Sequence, residues 1–103
     1  MIATKAKESV EQAVAYELQN IVKNYGATYA SEHEGYAVLL EEVDEAGDAL
    51  ADVEKKLTDI WLAIKANELG LFDIHLCKEF ALGLAEEAIQ CAAVCERFME
   101  TIK

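Results

Sequence analysis

Two glutamates, Glu42 and Glu45, stand three residues apart in the run Leu39-Leu40-Glu41-Glu42-Val43-Asp44-Glu45. On a helix that turns roughly 100° per residue they project about 60° apart, so both can serve one cation. A second polar pair, Glu87 and Gln90, repeats the spacing among Ala85, Ala88, Ile89, Cys91 and Ala92. A carboxylate in such apolar company needs a partner. Two facing helices that each offer oxygens at i and i+3 suit Mg²⁺, with water and a substrate phosphate completing its octahedron. An ion held in this way neutralises and orients a triphosphate, and it helps a carboxylate generate a hydroxide-like nucleophile for attack on phosphorus.

Helices must position these groups. Val10, Ala13, Val14, Leu18, Ile21, Val22 and Tyr25 recur at intervals of three and four, which predicts a first helix from about Thr4 to Tyr25 with Gly26 at its C′ position. Ser31 and Glu34 have the form of a capping box and open a second helix. Its apolar stripe runs from Tyr36 through Leu50 and Trp61 to Ile64 and persists to about Asn67. Gly47 could break or bend that helix, and continuity is the preferred reading. Asn67-Glu68-Leu69-Gly70 ends the pattern, and a last helical stretch runs from about Phe72 to Ile102 with a possible interruption near Gly83. The expected fold is all-α, an antiparallel bundle of long helices forming a single domain over residues 1–103. In projection Glu42 leaves the apolar stripe by roughly 70°, and Glu45 lies farther round on the same flank. Glu41 and Asp48 point more fully outward. Between Leu84 and Cys95 small and apolar residues surround the helix nearly all round, so the chain is expected to self-associate.

The block His33-Glu34-Gly35-Tyr36-Ala37-Val38-Leu39-Leu40-Glu41-Glu42-Val43-Asp44-Glu45, with Glu86-Glu87-Ala88-Ile89-Gln90-Cys91-Ala92-Ala93 later, resembles the MazG-like branch of the all-α nucleoside triphosphate pyrophosphatases. The likeness spans roughly residues 31 to 99. That family carries EExxE on one helix and ExxD on a later one. Its acids bind Mg²⁺, and it cleaves a nucleotide between the α- and β-phosphates, giving a monophosphate and pyrophosphate. Position by position, the resemblance implies that Glu42, Glu45 and Glu87 ligate the metal. Glu41 matches the leading acid of the first motif and is the candidate for positioning or activating water. Gln90 stands where the family usually has aspartate, and a neutral amide offers oxygen without charge or base function.

The remaining composition narrows the alternatives. There are 103 residues, no proline, five glycines and 53% apolar residues, which disfavours β-sandwiches and intrinsic disorder. A formal charge of −11 opposes direct nucleic-acid binding, and the anionic partner that remains is a ligand that brings its own divalent cation. Three cysteines without framework spacing, an N-terminus without a long apolar stretch and no membrane-length run point to a cytoplasmic protein. Cys77, Cys91 and Cys95 are expected as buried free thiols, and Trp61 as core. Neither His33 nor His75 has a glutamate three residues before it, which disfavours a di-iron site. Lysines and Arg97 are expected on solvated faces. Tyr25, Tyr29 and Tyr36 could stack a base if the first helix closes a pocket. The expected partners are a nucleoside triphosphate and further copies of the chain, as homodimer or homotetramer. Two other readings use the same residues: an inactive helical module of the same fold that binds protein, and an acidic decoy presenting Glu41, Asp44, Asp48 and Asp52.

Overall fold

The computed structural model describes all 103 residues as three helices, α1 (Thr4–Tyr25), α2 (Glu32–Lys65) and α3 (Leu71–Ile102). α2 and α3 form a long hairpin. Gly35 meets the Phe98 ring near one end, and Lys56 lies over the Phe80 ring towards the other, so the two helices run antiparallel. α1 packs on α3 and makes no close backbone approach to α2.

Local chemistry accounts for each boundary. Gly26 ends α1 at φ 93°, a conformation costly for a residue with a Cβ, and its N–H donates to the Val22 carbonyl at 2.8 Å. Ser31 Oγ accepts from the Glu34 N–H at 3.1 Å, as the expected capping box requires. The return arm differs, because Glu34 Oε1 accepts from the Ala30 N–H, one residue farther back. α2 stops where Asn67 adopts φ 56° and the Glu68 N–H reaches back to the Ala63 carbonyl at 2.9 Å, closing the helix end in the Schellman manner. Asp73 then accepts from the Gly70 N–H and opens α3. Neither Gly47 nor Gly83 breaks a helix. One poor helix former in a long helix costs about 1 kcal/mol, which the flanking turns and interhelical packing override.

The core is where expectation and structure part. Only Tyr29, Ala93 and Val94 are buried apolar residues, and Trp61 is 57% exposed with Lys65 over its ring. α3 takes one edge of the α2 stripe, Leu39, Ala46, Val53 and Ile60, and leaves Trp61 on the uncovered edge. The thiols follow the same division: Cys77 and Cys91 are half-buried, and Cys95 is exposed. The chain's radius of gyration is 17.3 Å, against about 13 Å for a compact domain of this length.

Arg97 reverses another expectation. Instead of lying on a solvated face it is buried. Its Nε donates to the Gly26 carbonyl at 3.0 Å, and its Nη2 donates to those of Tyr25 and Thr28 at 2.9 and 3.0 Å. The guanidinium also stacks 4.0 Å from the Tyr29 ring centroid, and the Tyr29 N–H donates to Thr101 Oγ1. The α1–α2 connection is thus tied to the last turns of α3 by one side chain that satisfies otherwise unpaired carbonyls. No helix is long and apolar enough to cross a membrane.

Candidate functional site

The antiparallel pairing of α2 and α3 sets Glu42 and Glu45 opposite Glu87. One carboxylate oxygen from each lies within 4.8 Å of the other two. Glu42 Oε2 and Glu87 Oε2 are buried and have no hydrogen-bond partner. Unpaired buried acceptors of this kind are costly, and they are uncommon in folded proteins unless something binds them.

The electrostatics agree with the geometry. Loss of hydration, then the negative charges of Glu45, Glu87, Glu41 and Glu17, hold the Glu42 carboxyl above its ordinary range. Loss of hydration and the negative charges of the nearby Glu45 and Glu86 raise Glu87. No lysine or arginine is salt-bridged to any of the three. Three oxygen donors with unmet charge make a hard, anionic cradle that a divalent cation would satisfy.

Beside the cradle, α1 and α2 stand apart over α3 and leave a cleft of about 660 Å³, within the roughly 300–1,000 Å³ range of small-molecule sites. Glu41 and Glu42 form part of its α2 wall, and Val94 and Gln90 belong to its α3 side. Of the three tyrosines considered for stacking, Tyr25 and Tyr29 line this cleft. Tyr36 does not; it sits 63% exposed in a shallow depression with Phe98. Gln90, one turn beyond Glu87, faces the cleft and also a smaller hollow with Tyr16 and Glu17. The cleft's one cationic side chain, Arg97, is occupied by backbone carbonyls.

Two residues of the site, Glu17 and Arg97, were not foreseen from the sequence. Glu17 reaches the cleft from α1 and acts on Glu42 through space. Arg97 lines the cleft stacked on Tyr29, whose hydroxyl is buried and unpaired. Only Glu17 had a readable signal, an acid one residue before Leu18 on the apolar edge of α1. No family model matches the chain, and neither does any curated protein or solved structure.

Proposed function

We propose that this chain is a Mg²⁺-dependent nucleoside triphosphate pyrophosphohydrolase-like protein, cleaving (d)NTP to (d)NMP and pyrophosphate, and that it works as a cytoplasmic homodimer or homotetramer. The reading rests on one observation: the convergence of Glu42, Glu45 and Glu87, two of them with buried unpaired oxygens, with Glu42 also lining a cleft large enough for a nucleotide. The motif likeness to the MazG-like enzymes adds the reaction class.

Glu42, Glu45 and Glu87 would hold the cation, because hard carboxylate oxygens match Mg²⁺ and nothing else on the chain satisfies them. When bound, the ion would supply charge neutralisation of the phosphates and acidification of water. Glu41 lines the cleft beside Glu42, with no protein partner for its carboxylate among the hydrogen bonds or ion pairs. It is therefore available to accept a proton from water or to orient it. Gln90 offers its amide oxygen or nitrogen at the cleft wall. The apolar side chains of Ile21, Val38 and Val94 exclude water from part of the cleft.

Pyrophosphate release from a panel of ribo- and deoxynucleoside triphosphates, with Mg²⁺ or with chelator, tests the proposal. Turnover that requires Mg²⁺ and is lost in Glu42→Gln and Glu45→Gln supports it. Turnover that survives both substitutions refutes it.

A second reading, an inactive module of the same fold that binds protein, draws on two features. Gln90 contributes no charge, and Glu17, Glu34, Glu41 and Glu42 all face a cleft whose one cation is engaged elsewhere. An uncompensated triphosphate would be repelled there. Calorimetry with Mg²⁺ and a non-hydrolysable triphosphate separates the readings, since the module binds neither.

A further inference from the structure

α2 carries a second pattern that its contact with α3 leaves unused. Tyr36, Val43, Leu50, Leu57 and Ile64 recur every seven residues, and Leu40, Gly47 and Trp61 fall four residues after members of that row. This alternation of four and three is the seam of a two-helix contact. Every large apolar side chain in it is exposed, from 44% at Leu40 to 63% at Tyr36 and Leu57. The row spans 28 intervals, about 42 Å of helix. At its middle, a Cβ built on Gly47 would meet nothing within 4 Å, so the surface there is open to a neighbour.

α3 offers the complementary shape on the same side. Ala81, Ala85, Ala88 and Cys95 are exposed at intervals of four and three, with half-buried Ala92 continuing the row. They make a shallow trough where α2 makes a ridge. Trough and ridge are continuous, because Leu39 shares an apolar groove of about 250 Å³ with Cys95, Phe98 and Met99, and Tyr36 shares a depression with Phe98. α1 lies on the other face. Gln90, which meets α1 beside Tyr16 and Glu17, is nine residues from Ala81 and so turned about 180° from it.

We infer that this face of the α2–α3 hairpin is covered by a second copy of the chain, paired about a two-fold axis near Leu50 with the two α2 helices antiparallel. The area supports the occupant. The chain exposes 7523 Å², whereas a folded monomer of 11.4 kDa exposes about 5,800 Å². The excess, about 1,700 Å² per copy or 3,400 Å² for a pair, falls within the roughly 2,000–5,000 Å² of obligate dimers.

Charge supplies the direction. Between Glu32 and Asp52, α2 holds eight carboxylates and no lysine or arginine, while Lys55, Lys56 and Lys65 follow in its second half. Parallel pairing would set acid against acid, and antiparallel pairing sets each acidic half against the second half of the other copy, where Glu54 and Asp59 nearly balance the lysines. With the axis at Leu50, midway between Tyr36 and Ile64, Lys65 of one copy lies beside the first turn of the other, where Glu32 and Glu34 stand. The inference specifies a face and a direction for the oligomer named above, and it does not depend on any ion being bound.

Sedimentation or light scattering of the untagged protein in chelator reads the mass, so the outcome is separate from that of the hydrolase assay. At micromolar concentration we expect at least two copies of the 11.4 kDa chain, falling to one in Leu50→Glu and Leu57→Glu. Both side chains are exposed in the single chain, so helicity by circular dichroism should persist. Tyr16→Glu, on the opposite face, should leave the mass unchanged. Direction is read on the unaltered sequence: unlabelled and ¹⁵N-labelled chains are refolded together and treated with a carbodiimide. Mixed-isotope cross-links from Lys65 to Glu32 are expected. A monomeric wild type, an assembly that survives both glutamate substitutions or is dissociated by Tyr16→Glu, or mixed-isotope links confined to like positions of the two helices overturns the inference.

Discussion

Replacing Glu42 by glutamine should stabilise the chain without divalent cation and make it the less stable form when Mg²⁺ is present. The first half follows from repulsion at close range. A Glu42 oxygen lies within 4.8 Å of one on Glu45. At that separation two unit charges repel by about 0.9 kcal/mol in bulk water and about 3.5 kcal/mol at an effective dielectric near 20. Glu42 is half-buried and Glu45 exposed, so water screens much of this, and about 1 kcal/mol is the relief to expect. For a domain of this size that raises Tm by about 4–8 °C. The second half follows from mass action: a cation at a hundred times its Kd stabilises the wild type by about 2.7 kcal/mol, and a variant with one ligand gone captures little of it. Thermal melts of both proteins in chelator and across a Mg²⁺ titration should therefore cross. If Glu42→Gln melts below wild type by the same interval in chelator and in Mg²⁺, Glu42 is holding the fold rather than waiting for a cation, and the cradle is misread.

Other outcomes follow from the same coordinates. Because Glu42 and Glu87 titrate above their ordinary range, the folded chain binds protons more tightly than the unfolded one. Its contribution to stability in chelator should fall as pH rises from the ordinary glutamate range through the raised values, and the change in urea midpoint across that range should be smaller in Glu42→Gln. Arg97→Lys keeps the charge but cannot serve the carbonyls of Tyr25, Gly26 and Thr28 together. A loss of about 3 kcal/mol by denaturant unfolding is expected. Gly35→Ala places a Cβ 3.0 Å from the Phe98 ring and should cost about 1–3 kcal/mol in the same assay unless that ring gives way. In timed alkylation of the dissociated Leu50→Glu chain Cys95 should react first, being exposed there, and Cys91 last, since burial and the neighbouring Glu42 raise its thiol.

The helices were legible because their signals are local. Gly26, Ser31 and the three-four periodicity act over one or two turns, and the boundaries fall within a residue or two of those they predict. The acids of α2 and α3 were legible as pairs for the same reason. Burial was not. The stripe on α2 is wider than one partner helix can cover, and sequence alone does not say which edge α3 takes, so Trp61 looked internal and is not. Arg97 was misplaced because its acceptors are carbonyls about seventy residues away, and a carbonyl has no signature in the sequence. Tyr29 depends on the same long-range tie.

The width of that stripe also explains how one small chain can carry both an acidic cradle and a pairing face. A helix in contact with a single neighbour has two free flanks, and α2 uses them for opposite purposes. Glu45 follows Tyr36 by nine residues and is turned about 180° from it, so the cradle and the apolar row lie on opposite sides of the same rod. Charge concentrated on one flank would oppose pairing if it faced the seam. Placed opposite, it leaves the seam nearly free of charge, Glu54 being the exception. Loading the cradle with Mg²⁺ should for that reason leave the sedimentation mass unchanged, and the seam substitutions should leave Mg²⁺ affinity within a few-fold of wild type in any chain that remains helical. Strong coupling in either direction would mean that the second copy reaches round to the cradle, and that the two flanks of α2 are not separate.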